Sequence, residues 1–211
     1  MTIYKFISHN RKILEVASSH GWLPGACYTN LRDLKGFKLV GFIDIKWENY
    51  SFKKHLEAVK SIRPLFTMAC DVTDCKHLQK TIDEALELKQ FCSNVIIIPK
   101  DPKLECYENL GVPEEFVLGY SVPSKYGKTS LQISSFKTKV HLLGGRPDIQ
   151  RQLGDIMNIH SIDCNRFTID AKYGYYFDGK QFKKHLNGGY ENCIIESLKN
   201  INKIWLEYNL T

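Results

Sequence analysis

Residues Val140–Asp163 constrain the fold of this chain more than any other stretch. They read as a short apolar strand, a glycine turn, a helix and a second strand that ends on a carboxylate. Val140–Leu143 is apolar and brief. Gly144-Gly145 lets the backbone turn sharply and come close to a ligand. Pro147 suits the first turn of a helix, where a missing N–H costs nothing. Ile149, Leu153 and Ile156 recur at helical spacing, and Ile159–Ile162 returns as a strand with Asp163 at its C-terminal end. In β/α proteins that end is where ligands bind and chemistry is done.

The same unit recurs along the chain. Ile3–Ile7 predicts a strand and residues 10–19 a helix. Gly21–Asn30, with two glycines, a proline and Thr29-Asn30, reads as a loop, either framing a pocket or packed on the surface. Lys38–Asp44 is an apolar strand ending on Asp44, with Trp47 in the loop beyond it. Ser51 is placed to cap a helix carrying Phe52, Leu56, Val59 and Ile62, which Pro64 stops. Leu65–Cys70 again finishes on an aspartate, Asp71, before a helix marked by Leu78, Ile82, Ala85 and Leu86. Asn94–Ile98 is nearly continuously apolar, as a strand buried on both faces should be. Phe116–Ser121 is another strand. Tyr175–Phe177 is a candidate eighth, and the stripe from Ile194 to Tyr208 predicts a closing helix.

Strand–helix alternation means parallel pairing with right-handed crossovers. The fold class is therefore α/β. An open doubly wound sheet and a compact (β/α)8 barrel both fit, and 211 residues stand at the lower end for the barrel. The barrel is favoured because Asp44, Asp71 and Asp163 end three separate strands. A closed ring points all its strand ends at one mouth, whereas an open sheet would scatter them. Residues 1–211 are expected to form a single barrel domain of mostly parallel strands, with no zinc subdomain. An aspartate after a strand is also a common helix cap, so each one alone has a structural explanation.

Composition removes several function classes. Apolar residues make up 43% of the chain, enough for a core. No apolar run is of membrane-spanning length and the first residues lack a signal-peptide core, so a cytoplasmic protein without membrane association is expected. The seven cysteines form no CxxC pair, which points to free thiols rather than disulfides or zinc, and neither metal nor cofactor is implied. The net charge of +6 is compatible with a polyanionic partner. Lys125, Lys128, Lys137 and Lys139, interleaved with Tyr126 and Phe136, could track a nucleic-acid backbone or form a solvated face. His141, inside a strand, reads as a core residue. The GGRPD turn has the form of a phosphate cradle, with Arg146 either holding a phosphate or capping the helix.

Together VLGYS, VHLLGGRP and SIDCNRF, in this order, resemble the C-terminal half of the queuine and archaeosine tRNA-guanine transglycosylases. GFIDIKW and FTMACDV resemble that family's earlier aspartate strand ends. The resemblance covers most of residues 38–170. It is nearest the short phage and bacterial branch that exchanges guanine for a 7-deazaguanine base in DNA.

The resemblance implies Asp163 as the nucleophile on C1′ of the nucleotide and Asp44 as acid/base. It implies Asp71 as the reader of the base edge, the Gly119-Tyr120-Ser121 backbone beside the 7-substituent, and Gly144-Gly145 close to the nucleotide. Its implied partners are DNA and a 7-deazaguanine base; because 211 residues leave little surface for gripping a duplex, an accessory protein is a further expected partner. This sequence departs from the family in three places. Ile45-Lys46-Trp47 replaces glycine-glycine-phenylalanine, leaving Trp47 either to stack on a base or to pack. IIIPKDP stands where a glutamine is usual, with Lys100 as the candidate substitute. The zinc site and C-terminal RNA-binding domain of the tRNA enzymes are lacking, which argues against a tRNA substrate. Another glycosidic enzyme on the same barrel, or a non-catalytic nucleic-acid-binding barrel, are the alternatives.

Overall fold

The barrel closes through a strand that the sequence hides. In a computed structural model, describing residues 3–124 and 128–208, eight parallel strands pair in sequence order and the eighth returns to the first. They are β1 (Tyr4–Ser8), β2 (Leu23–Cys27), β3 (Phe42–Asp44), β4 (Phe66–Met68), β5 (Asn94–Ile97), β6 (Val117–Ser121), β7 (Val140–Leu143) and β8 (Ile159–Asp163). The (β/α)8 class expected from the sequence is the fold observed.

Two expectations about its strands are corrected. Residues 23–27 form β2 rather than a loop, paired with β1 and β3. Tyr175–Phe177 is not a barrel strand. It is β9, antiparallel to β10 (Phe182–Lys184) in a hairpin outside the ring. Pro24 and Gly25 disguise β2, and packing explains Gly25. A Cβ on it would lie 2.4 Å from Cδ1 of Phe42. Phe6, Phe42, Phe66 and His141 come from four different strands and meet across the lumen, with Phe6 5.4 Å from Phe42 and 5.0 Å from Phe66. Large rings from some strands leave room only for small residues on others.

Helices cover the ring: α1 (Arg11–Ser19), α2 (Phe52–Ile62), α3 (Leu78–Lys89), α4 (Pro147–Gly154), α5 (Arg166–Ala171) and α6 (Tyr190–Tyr208). Among the described residues, the β2–β3, β5–β6 and β6–β7 connections carry short 3-10 turns in place of α-helices. This economy is how a barrel of this length closes. On α6, Ile194, Leu198, Ile201 and Trp205 are buried, as their spacing predicts. Asn202 locks that helix to the α1–β2 connection by accepting from Trp22 Nε1 at 3.0 Å and donating to the His20 carbonyl at 2.7 Å. Among the described residues no helix is long and apolar enough to cross a membrane.

Candidate active site

The ends of β3 and β8 bring two carboxylates to one cleft. Asp44 and Asp163 are the last residues of their strands. With Lys100, Ser121, Gly144 and Gly145 they line a cavity of about 290 Å³ at the C-terminal mouth of the barrel. Asp163 also borders a groove of about 420 Å³ outside it, lined by Gly144, Gly145, Arg146, Asn165 and Arg166. The nucleophile candidate therefore stands where an inner cavity meets an outer groove.

Asp163 is held asymmetrically. Its Oδ1 accepts the Gly144 N–H at 2.9 Å. Nε2 of His141 lies 3.3 Å from the same oxygen. That contact is off the line of a hydrogen bond, and Nε2 of this wholly buried ring has no other partner. The ring's Nδ1 pairs with Ser161 Oγ at 2.9 Å. Behind the two loops, the buried Gln150 amide donates to the carbonyls of Gly144 at 2.7 Å and Asp163 at 2.8 Å, tying the end of β7 to the end of β8.

Asp44 has the opposite environment. Burial, and then the charge of Asp163, push its carboxyl up to about 7. The Ile45 N–H, 2.7 Å from Oδ1, offsets this in part, and the charge of Asp71 adds to it. The strand behind Asp44 is fixed by a buried chain. His55 Nε2 contacts Thr67 Oγ1 at 2.7 Å, and Thr67 donates to the Ile43 carbonyl at 3.0 Å. With the Thr67 proton so used, Nε2 carries the imidazole proton and Nδ1 accepts from Tyr50 Oη at 3.1 Å. Burial drives His55 down to about 4, so the ring is neutral.

The remaining expected residues are placed unevenly. Asp71 lies beyond β4 and pairs with Lys100 Nζ at 2.5 Å. It lines a neighbouring cavity of about 250 Å³ with Tyr50, Cys70 and Glu84 rather than the one holding Asp163. Of Gly119-Tyr120-Ser121, Ser121 lines the central cavity. Gly119 is enclosed, with a Cβ position 2.6 Å from Ile98, and Tyr120 stacks edge-on against Phe136 at 5.1 Å. Trp47 is 70% exposed in a 3-10 turn, neither packed nor lining the cavity. Arg146 occupies the N-cap position of α4 but binds Asp148 bidentately at 3.0 and 3.2 Å, with no capping hydrogen bond. Phe136 is buried, so it does not interleave with Lys137 and Lys139, while Lys125 and Tyr126 lie outside the described residues.

Gly145 owes its identity to packing. Its φ is +84° and a Cβ would sit 2.3 Å from Val122 Cγ1. Gly144, at φ +58°, faces open space. The sequence reading missed Gln150 and the contact of His141 with Asp163. It also placed Ile156 at helical spacing with Ile149 and Leu153, whereas α4 ends at Gly154 and Ile156 is 63% exposed. A polar residue among helical apolar positions was the available signal for Gln150. Among the described residues the one trio spaced to hold a metal is Asp74, Cys75 and Asp101. Its carboxylates already accept the N–H groups of Lys76, Cys75 and Lys103.

No curated protein matches the chain. A model of one family, described as a family of unknown function (DUF6610), matches residues 17–206, and the chain belongs to that family.

Proposed function

We propose that this protein is a base-exchange transglycosylase that replaces guanine in DNA with a 7-deazaguanine base through a covalent aspartyl–nucleotide intermediate. The observation that carries the reading is the pair of carboxyl groups in one cleft with unlike surroundings: Asp44 pushed up to about 7 chiefly by burial, and Asp163 accepting a backbone N–H on Oδ1. A double displacement at an anomeric carbon needs one protonated and one ionised carboxyl group. The resemblance of the strand-end motifs supplies the substrate class.

In the first half-reaction Oδ2 of Asp163, the oxygen without the Gly144 N–H, attacks C1′. The C1′–N9 bond breaks, its electron pair leaves with guanine, and the Asp44 proton neutralises the departing ring. In the second, ionised Asp44 takes the N9 proton of the incoming base. N9 then bonds to C1′ and the Asp163 carboxylate is released. Configuration is retained, and the kinetics are ping-pong. The target base leaves the helical stack to reach the cavity. Ser121 and Lys100, which line the same cavity, are the candidates to read the new base.

The test incubates DNA with a labelled 7-deazaguanine, digests it to nucleosides and analyses them by mass spectrometry. Incorporation that Asp163→Ala abolishes is the expected result. Absence of incorporation with every 7-deazaguanine precursor, on single- and double-stranded DNA, overturns the proposal. The Lys100–Asp71 ion pair favours a second reading, because it occupies the carboxylate meant to read the base. On that reading water resolves the same intermediate, so free guanine accumulates without an incoming base.

A further inference from the structure

Beside the outer groove, the β9–β10 hairpin offers exposed rings and cations on a surface continuous with the site. Residues 164–189 carry five Lys or Arg against two Asp, and six Phe or Tyr. Their arrangement matters more than their number. Antiparallel register sets Lys184 opposite Tyr175 and Phe182 opposite Phe177, so these four side chains share one face. Lys184 Nζ lies 5.0 Å from the Tyr175 ring centroid and donates to the Tyr173 carbonyl at 2.9 Å. Lys183 is on the other face and is tied to Asp178 at 2.5 Å.

Phe182 joins this face to the groove through two arginines. Arg146 and Arg166 both line the groove with Asp163, and both guanidinium groups lie over the Phe182 ring, at 5.5 and 5.9 Å. Each is bound to its own aspartate, Asp148 and Asp170. They therefore act as flat, partly neutralised planes rather than as bare cations. Tyr173 is 69% exposed and Tyr175 41%, and the two rings lie close together in sequence. Exposed rings next to a cationic strip are the chemistry of single-strand binding: unpaired bases stack on the rings while lysines follow the phosphates. A duplex keeps its base faces covered and offers such rings little to stack on.

We infer that this hairpin face, with Tyr173, Tyr175 and Lys184, is a platform that grips single-stranded DNA flanking the nucleotide at Asp163. The inference rests on the proposed reading of the substrate as DNA. Charge complementarity and continuity with the groove decide for a polyanionic single strand rather than an apolar protein partner.

Fluorescence anisotropy of labelled oligo(dT) of about 20 nucleotides tests it, since each site of this kind spans on the order of 4–16 nucleotides. Oligo(dT) contains no guanine, so its binding does not depend on base exchange. The expected result is that Tyr173→Ala with Tyr175→Ala weakens binding roughly 10- to 100-fold. Tyr175→Phe, which keeps the ring, retains it. Lys184→Ala lowers the slope of log affinity against log salt by about 0.7. Tyr107→Ala, exposed on the β5–β6 connection, serves as the control and changes nothing. Equal binding by the double alanine variant overturns the inference. So does a same-length duplex bound as tightly as the single strand, oligo(U) bound more tightly than oligo(dT), or no binding at low salt. Base exchange that fails while the oligo(dT) pattern holds removes the enzymatic reading and leaves the platform. Exchange that persists while the pattern fails removes only the platform.

Discussion

Nε2 of His141 stands 3.3 Å from Oδ1 of Asp163, in a ring that is fully buried and has no other partner on that nitrogen. A proton on Nε2 faces a carboxylate favourably, whereas a lone pair there would repel it. The tautomer with its proton on Nε2, accepting from Ser161 on Nδ1, therefore fits these contacts. The Gly144 N–H holds Oδ1, His141 packs against the same oxygen, and in the proposed mechanism Oδ2 is the atom left to attack.

In the proposed mechanism His141 is a positioning residue. There His141→Leu should slow formation of the Asp163 intermediate roughly 3- to 10-fold, the value of a polar contact short of a charged hydrogen bond. KM should change little. His141→Gln, with an amide N–H near the Nε2 position, should recover much of the rate. Single-turnover trapping followed by intact-mass measurement distinguishes these outcomes. A loss shared equally by both variants would mean a packing role only.

Stability should depend on pH through two opposed groups. Asp44 is raised to about 7 from 3.8, so the folded state binds more protons than the unfolded chain between those values, and stability falls as pH rises through them. The full term is about 4 kcal/mol. His55 is lowered to about 4 from 6.5, so its contribution is present above 6.5 and is lost as pH falls toward 4, a term of about 3 kcal/mol. Burial lowers His9 and His160 in the same sense. Between pH 4 and 6.5 the two slopes oppose each other. Urea titrations of Asp44→Asn should therefore show stability climbing with pH over that window, and those of His55→Gln should show it falling. Parallel curves for the two variants would contradict the assignment.

The paired glycines should respond differently to substitution. Gly145→Ala forces a Cβ against Val122 at 2.3 Å on a backbone at φ +84°, and a loss of several kcal/mol is expected, on the order of 3. Gly144→Ala meets no atom within 4 Å and carries only left-handed strain, about 1 kcal/mol. Thermal melts of the two variants rank them. A larger cost at Gly144 would indicate that its loop is held more tightly than its open surroundings suggest.

Much of the fold was legible because apolar strands ending on aspartate are a strong pattern. Both Asp44 and Asp163 were found at strand ends, and they do share a cavity. β2 was not legible. Its apolar signature is missing because rings from β1 and β3 fill the lumen beside it, leaving Gly25 as the residue that fits there. The aromatic Tyr175–Phe177 run looked more like a strand than β2 did, and it is one, but the hairpin that covers it is set by contact with α6: Phe177 N–H donates to Ser197 at 2.9 Å. Pairings between distant loops, such as Lys100 with Asp71 or Gln150 with two carbonyls, leave no local trace in a single sequence.

The Lys100–Asp71 pair should act on Asp44 more than on stability. Both side chains are partly exposed, at 29% and 21%, and such pairs contribute little, about 1 kcal/mol or less. Lys100→Met should thus melt close to the parent. Asp71 keeps its negative charge in that variant but loses the cation that balances it, and that charge already acts to raise Asp44. The Asp44 carboxyl should then titrate higher than its present value of about 7, and the pH at which guanine release declines should rise with it. Carbon-13 NMR titration of the aspartate carboxyl groups, assigned with Asp44→Asn, reads the first effect without reference to any reaction. Asp71→Asn should move the same resonance in the opposite direction. If neither variant shifts it, the two carboxylates do not sense each other across the mouth of the barrel, and Asp71 belongs to the neighbouring cavity alone.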